Sequence, residues 1–268
     1  MTLAAFEELD YGMTPLGELI LRRREVLSLD RAEVYEVKLA GEFLMSSMVN
    51  DAEIALADFA LAPRQPTSEP RSAGLPVVAC DRRDVLVGGL GLGYTAKAAL
   101  EADNIASVTV IEYLERVIAW HENGLVPLGR SLTHDARCRL IHGDFFEAVG
   151  SPAQQCDGAS ESCSEALAEW ASKRFHAILL DIDHSPQCLL HAGHAAFYTA
   201  EGLERLTGHI HPGGVFALWS ADPLEKSLMD RLSGVFENVQ VRETKFYNPL
   251  LGRHDVNYIV VARRASSC

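Results

Sequence analysis

The sequence lacks any run of about 18 consecutive apolar residues, the length that a membrane-spanning helix needs. Its amino-terminal stretch carries Glu7, Glu8 and Asp10, where a secretory signal peptide requires positive charge. We therefore expect a cytoplasmic protein that neither crosses nor binds a membrane.

Basic residues are also scarce, since 24 Lys and Arg stand against 37 Asp and Glu and leave a formal net charge of −13. Such a charge repels phosphate backbones, so we expect no nucleic-acid partner. The one compact basic run, Arg22, Arg23 and Arg24, is interpreted as a solvated charged surface.

Cysteines are few and scattered, without the paired close spacing of a zinc site: Cys80, Cys138, Cys156, Cys163, Cys188 and Cys268. We expect reduced thiols, because a chain of this size needs no disulfide staples. Asp183 with His184, and His191 with His194, lack a matching cluster elsewhere. No metal site is expected, and His191 and His194 are interpreted as surface histidines.

The residue pattern divides the chain into three parts. Residues 1–62 predict a small β-rich domain, with short β-like runs followed by a helix over 51–61. The proline-containing residues 63–83 predict a linker, and residues 84–264 an α/β domain. Within that domain, the Ser- and Ala-rich residues 150–164 predict a mobile surface insertion.

Apolar strands alternate with amphipathic helices after Asp84, which indicates parallel strands joined by crossover helices. Five such strands are predicted around residues 85–87, 108–111, 138–141, 177–181 and 215–219. Residues 239–242 and 258–261 predict an antiparallel hairpin that closes the sheet. The expected fold class is α/β: a doubly wound, mostly parallel seven-stranded Rossmann-like sheet with a small N-terminal β domain.

A glycine-rich turn follows the first of these strands and precedes a helix. Gly89, Gly91 and Gly93 allow the backbone to turn sharply and to approach a ligand, and the helix start offers free amides. Because a structural turn also needs glycine, its position between strand and helix is what favours a nucleotide site.

Acidic residues follow the next strands and meet at the same sheet edge. Glu112 is placed to accept ribose hydroxyl protons, which suits a dinucleotide as well as an S-adenosyl nucleoside. Asp144 could accept the exocyclic amine of adenine, which favours the S-adenosyl nucleoside. Asp181 and Asp183 add acids that would attract a sulfonium cation and a substrate amine.

In this order the residues resemble the spermidine synthase family of polyamine aminopropyltransferases, which have the class I methyltransferase fold. The resemblance spans about residues 84–222 and includes the glycine turn, Glu112, Asp144, Asp181 and residues 211–214. It implies that Glu112 holds the ribose, that Asp144 holds the adenine, and that Asp181 binds beside the cofactor and helps deprotonate the attacking amine. The cofactor implied is S-adenosylmethionine or its decarboxylated form.

The resemblance has departures near the acceptor. The acidic loop of the family reads Asp-Ser-Ser-Asp-Pro, whereas residues 181–186 place His184 at the second Asp position. The Tyr-His-Glu segment of the family is missing, and Asp51-Ala52-Glu53 stands about where it should begin. The catalytic candidates are Asp181, Asp183 and His184.

Four functions remain open at this point. The first is transfer of an aminopropyl group to a small-molecule amine, and the second is methyl transfer from S-adenosylmethionine to a small molecule. The others are an NAD-dependent oxidoreductase and a nucleoside-binding protein without catalysis. An exposed edge of the N-terminal sheet also suggests a homodimer.

Overall fold

The structure is a computed structural model that describes residues 6–62, 82–150, 173–249 and 251–266. Most of the predicted linker and all but the first residue of the predicted insertion 150–164 lie outside these ranges. So do Cys80, Cys156, Cys163 and Cys268, while Cys138 and Cys188 are free thiols.

An antiparallel four-stranded sheet forms the N-terminal part, as predicted. Its strands pair in chain order and are β1 (Phe6–Thr14), β2 (Gly17–Val26), β3 (Ala32–Leu39) and β4 (Glu42–Ser46). Leu19, Leu21, Val37 and Leu39 are buried in the same apolar cluster as one face of the second sheet. The two sheets therefore share a core.

The second sheet has seven strands in the order β10-β11-β9-β8-β5-β6-β7. They are β5 (Arg83–Gly88), β6 (Ile105–Glu112), β7 (Cys138–His142), β8 (Phe175–Leu180), β9 (Ile210–Ser220), β10 (Glu237–Asn248) and β11 (Arg253–Arg263). Strands β5 to β9 are parallel, and β10 and β11 form the predicted antiparallel hairpin. The predicted mostly parallel seven-stranded sheet is confirmed.

Helices cover both faces of this sheet: α1 (Asp51–Leu61), α2 (Tyr94–Glu101), α3 (Glu115–Glu122), α4 (Gly129–Thr133), α5 (Phe145–Gly150), α6 (Ala200–Thr207) and α7 (Lys226–Val235). Alternate residues of β5 point to opposite sides, so Val85 and Val87 pack in the α1 to α4 layer and Leu86 in the α5 to α7 layer. This is the doubly wound arrangement. Within the described ranges, no helix is long and apolar enough to span a bilayer.

Parallel pairing brings the carboxyl ends of neighbouring strands to one edge. Gly88 lies opposite Ile111 of β6 and Leu180 of β8, and Glu112 lies opposite His142 of β7. The residues that follow these strands therefore converge beside the glycine turn, where an open α/β sheet binds its ligands.

Candidate functional site

The glycine turn has left-handed backbone at Gly89, Gly91 and Gly93, with φ of 92°, 50° and 94°. Gly89 is required for a second reason, since a Cβ atom there would lie 2.1 Å from the carbonyl oxygen of Asp181. The turn and the end of β8 thus approach closely only because residue 89 has no side chain.

Glu112 is held rigidly at the end of β6. Its Oε2 accepts the backbone N–H of Leu90 and its Oε1 that of Leu114, each at 2.8 Å. The residue is 8% exposed, and burial raises the pKa of its carboxyl, while the backbone donors act in the opposite direction. Backbone N–H groups of Gly91 and Tyr113 add to those of Leu90 and Leu114, so the carboxylate is held in one orientation at the cavity wall.

An inner cavity of about 180 Å³ lies beside the turn and contains most of the predicted cofactor residues. Gly89, Gly91, Glu112, Asp144 and Asp181 all line it, together with apolar side chains of both sheets. Gly93 lines the neighbouring cavity instead and begins α2. The structure thus brings these five acidic and glycine residues to one cavity.

Asp144 has a structural role that the sequence did not predict. Its Oδ1 accepts the backbone N–H groups of Phe146 at 2.8 Å and Glu147 at 3.3 Å, which caps the start of α5. No partner of Oδ2 lies among the described residues, so that oxygen is available to a group in the inner cavity.

An outer cavity of about 770 Å³ adjoins the inner one, and Asp181 lines both. Thr95 donates a hydrogen bond from Oγ1 to Asp181 Oδ2 at 2.7 Å, which orients the carboxylate. Burial raises the pKa of Asp181 to about 6, against the lowering effect of the Thr95 hydrogen bond. Asp181 is therefore an ionised base at neutral pH, and a stronger one than an exposed aspartate.

Glu53 is a second carboxylate at this site, which the sequence interpretation missed. It lines the outer cavity from α1, and burial, followed by the charge of Asp181, raises its pKa to about 8. At neutral pH the pair therefore holds one proton, on Glu53. The available signal was its position on the same helix face as the buried Leu56, Ala57 and Ala60, where a carboxylate is unusual.

Replacing Glu53 with Gln is expected to stabilise the protein above pH 8. The folded state keeps the Glu53 proton up to about pH 8, whereas the unfolded chain releases it near the ordinary value of 4.5. Wild-type stability therefore falls as pH rises through this window, and a Gln side chain removes the loss, which is on the order of 5 kcal/mol because one pKa unit corresponds to about 1.36 kcal/mol. Thermal unfolding at a series of pH values measures it.

The matched control is Asp58→Asn on the exposed face of the same helix. Its unfolding temperature should follow the wild-type pH profile. Parallel profiles for wild type and Glu53→Gln between pH 4.5 and 8 would show that Glu53 does not carry the proton.

Asp183 faces away from both cavities. It is buried and accepts hydrogen bonds from the backbone N–H of Leu190 at 2.8 Å, from His194 Nδ1 at 2.7 Å and from the Tyr198 hydroxyl at 2.9 Å. All three donors belong to the loop that follows Asp183, so this geometry gives Asp183 a positioning role. The sequence had instead predicted that Asp183 takes part in catalysis.

His194 belongs to the wall of the inner cavity. Its side chain is 12% exposed and stacks on the ring of Phe146 at a centroid distance of 3.9 Å. The interpretation of His194 as a surface histidine was therefore wrong.

His184 is exposed and lines the outer cavity, edge-on to Trp219 at 6.0 Å between ring centroids. Of the three catalytic candidates, Asp181 and His184 therefore border a cavity. Across the described ranges, no group of three or more His, Cys, Asp or Glu side chains is placed to hold a metal ion.

The arginine run on β2 is a network of ion pairs, so its interpretation as a solvated surface was wrong. Strand alternation puts Arg22 and Arg24 on one face, where both pair with the buried Glu36. Arg23 points to the other face and pairs with Glu7. Arg24 and Glu36 line the outer cavity.

Comparisons with known proteins identify the fold of this chain. No protein-family profile matches the sequence, and no curated protein matches it either. A spermidine synthase in complex with the transition state analogue AdoDATO superposes at 16% identity and a TM-score of 0.63, over 97% of this chain and 73% of its own. The spermidine synthase from Thermotoga maritima covers the same shares at 15% identity and a TM-score of 0.61.

Human methyltransferase-like protein 13 in complex with SAH covers 68% of this chain and 72% of its own, at 18% identity and a TM-score of 0.46. At the identities of the two spermidine synthases the likeness is one of fold. The chain has the spermidine synthase fold, in which a small antiparallel sheet precedes a seven-stranded sheet of the class I methyltransferase type.

Proposed function

We propose that the protein transfers an aminopropyl group from decarboxylated S-adenosylmethionine to a small-molecule amine. The observation that carries this proposal is the position of Asp181. Its carboxylate lines both cavities and has a raised pKa, so one base is shared by a donor site and an acceptor site. The spermidine synthase fold supports the same reaction class.

The inner cavity fits a nucleoside donor. Glu112 presents a carboxylate of fixed orientation to the ribose hydroxyl groups, and Asp144 presents Oδ2 to the adenine amine. The turn at Gly89 and Gly91 forms part of the same wall. These are the residues that would hold the donor.

The residues of the chain then align the two reactants and supply a proton acceptor. When bound, the donor supplies an electrophilic carbon attached to a positively charged sulfur. Asp181 attracts this charge, aligns an amine from the outer cavity and accepts its proton. Thr95 keeps the carboxylate in one orientation. Alignment of two reactants contributes about 7–11 kcal/mol in favourable cases.

The test is the nucleoside product released with each donor. Aminopropyl transfer from decarboxylated S-adenosylmethionine leaves methylthioadenosine, whereas methyl transfer from S-adenosylmethionine leaves S-adenosylhomocysteine. Purified protein is incubated with either donor and a mixture of small amines, and both nucleosides are quantified by mass spectrometry. Methylthioadenosine formation that requires an amine supports the proposal. Only S-adenosylhomocysteine would establish the methyl-transfer alternative, and neither product would favour a nucleoside-binding protein.

Replacing Glu112 with Gln is expected to weaken methylthioadenosine binding about 10- to 100-fold, because a hydrogen bond to a charged group contributes about 1.5–3 kcal/mol. Free adenine, which has no ribose, should bind the variant nearly as well as the wild type. Titration calorimetry with both ligands makes the comparison.

Glu115→Gln is the matched control, since Glu115 is exposed at the start of α3. An equal loss of adenine and methylthioadenosine binding in Glu112→Gln would contradict ribose recognition, because it would indicate general damage to the inner cavity. The homodimer, the cytoplasmic location and the boundary at residues 63–83 stay predictions.

A further inference from the structure

The outer cavity carries charges of both signs. Among the described residues that line it, the acids are Glu36, Glu53, Asp181 and Asp255, and the arginines are Arg24 and Arg253. The kind of amine that the cavity accepts depends on which of these acids remain available to a ligand.

Glu36 is already engaged by arginine. Its Oε2 pairs with Arg22 and its Oε1 with Arg24, each at 2.7 Å, and the carboxylate is almost fully buried. Two guanidinium groups share one carboxylate, so this trio has a net charge of +1. It presents positive charge to the outer cavity through Arg24.

Asp255 is engaged in the same way. Its Oδ1 accepts Arg253 Nε at 2.8 Å, and its Oδ2 accepts the side-chain amide of Asn248 at 3.1 Å. Within the described lining, the carboxylates without an arginine partner are therefore Asp181 and Glu53. These two lie together, beside the inner cavity, and serve the attacking amine.

Trp219, a residue of the cavity wall, has a buried donor without an acceptor among the described residues. The indole Nε1 of Trp219 is buried without a hydrogen-bond partner in the described part of the chain, and Trp219 lines the outer cavity. A buried donor of this kind costs free energy unless a ligand or water accepts its hydrogen. Arg24 and Arg253, which line the cavity, favour a ligand that brings acceptor oxygens.

We infer that the acceptor is an amine that also carries an anionic group, a carboxylate or a phosphate, and is not a plain diamine. This inference rests on the proposed function. The amine meets Asp181 and Glu53, while the anion meets Arg24 and Arg253. The second ammonium of a diamine would face guanidinium groups in place of an unpaired carboxylate.

The reaction is otherwise unchanged. The amine nitrogen forms a bond to the donor carbon, the carbon–sulfur bond breaks, and its electron pair stays on sulfur to give neutral methylthioadenosine. The proton lost by the nitrogen goes to Asp181 and then to solvent. The anionic group takes no part in bond making.

The test compares four acceptors of similar length: 1,4-diaminobutane, butylamine, 4-aminobutyrate and 3-aminopropyl phosphate. Binding is measured by titration calorimetry, and transfer from decarboxylated S-adenosylmethionine by mass spectrometry. We expect at least a tenfold preference for one or both anionic amines over 1,4-diaminobutane. The relative values for 4-aminobutyrate and 3-aminopropyl phosphate distinguish carboxylate from phosphate.

Arg24→Gln should reduce this preference at least tenfold and leave butylamine nearly unaffected. Arg253→Gln, on an exposed hairpin position, provides a second variant if loss of Arg24 disturbs the buried Glu36. Arg23→Gln is the matched control, because Arg23 neighbours Arg24 on β2 but faces the other side.

Preference for 1,4-diaminobutane, or unchanged selectivity in both variants, would overturn the inference. So would an Arg24→Gln variant that loses affinity for S-adenosylmethionine and not for anionic amines, because Arg24 would then serve the donor carboxylate. Failure of the proposed function looks different: no methylthioadenosine binding and no transfer, whatever amine the outer cavity binds.

Discussion

Replacing Asp181 with Asn should lower turnover by about 10²- to 10⁴-fold, the usual contribution of a general base, while methylthioadenosine affinity changes little. The Asn side chain keeps the size of the carboxylate and its contact with Thr95, but it cannot accept the amine proton. Wild-type turnover should also rise with pH through about 6, as Asp181 ionises. Steady-state kinetics across pH measure both effects.

Asp58→Asn, which removes an exposed carboxylate elsewhere on the molecule, is the control and should retain wild-type turnover. The Asp181→Asn variant should lose the pH dependence of turnover near 6 as well as its rate. Wild-type turnover in that variant would show that another group accepts the proton. Equal loss of binding and turnover would show that Asp181 mainly holds the donor.

Replacing Gly89 with Ala should destabilise the protein by about 3–5 kcal/mol and abolish nucleoside binding. A Cβ atom at this position would lie 2.1 Å from the Asp181 carbonyl oxygen, and the φ of 92° is strained for any side chain. Because the obstructing atom belongs to the backbone directly after β8, relief requires the turn and the end of the strand to separate. We expect the melting temperature to fall by roughly 10 °C.

Gly234→Ala in α7 is the matched control, since no atom lies within 4 Å of an added Cβ there. That variant should be unchanged or slightly more stable, by less than about 1 kcal/mol. If Gly89→Ala melts like Gly234→Ala and still binds methylthioadenosine, the close approach of turn and strand is not required for the site.

Residues whose position depends on one strand end could be predicted from the sequence. Each lies at or just after the end of a strand with a clear apolar pattern, and parallel strands bring their carboxyl ends to one edge: Gly89, Glu112, Asp144 and Asp181. The hairpin of β10 and β11 was predicted for a similar local reason, because two apolar runs flank a short turn. The apolar pattern of each strand and the parallel order of the strands were sufficient to predict where these residues lie.

Residues whose position depends on how the N-terminal part folds over the sheet could not be predicted. Glu53 and Arg24 come from α1 and β2, and only tertiary packing brings them to the cavity of Asp181. For Asp183 the sequence was misleading, because its closeness to Asp181 suggested that both side chains face the same site. A turn of the backbone instead directs its carboxylate into the loop that contains His194 and Tyr198.

Binding of an S-adenosyl-type donor in the inner cavity is measured most directly by titration calorimetry with methylthioadenosine, decarboxylated S-adenosylmethionine, S-adenosylmethionine and NADH. We expect methylthioadenosine and the decarboxylated donor to bind more tightly than S-adenosylmethionine, and NADH not to bind. Tighter binding of S-adenosylmethionine would move the assignment to methyl transfer. Binding of NADH alone would contradict the account, because Glu112 and the glycine turn would then belong to a dinucleotide site.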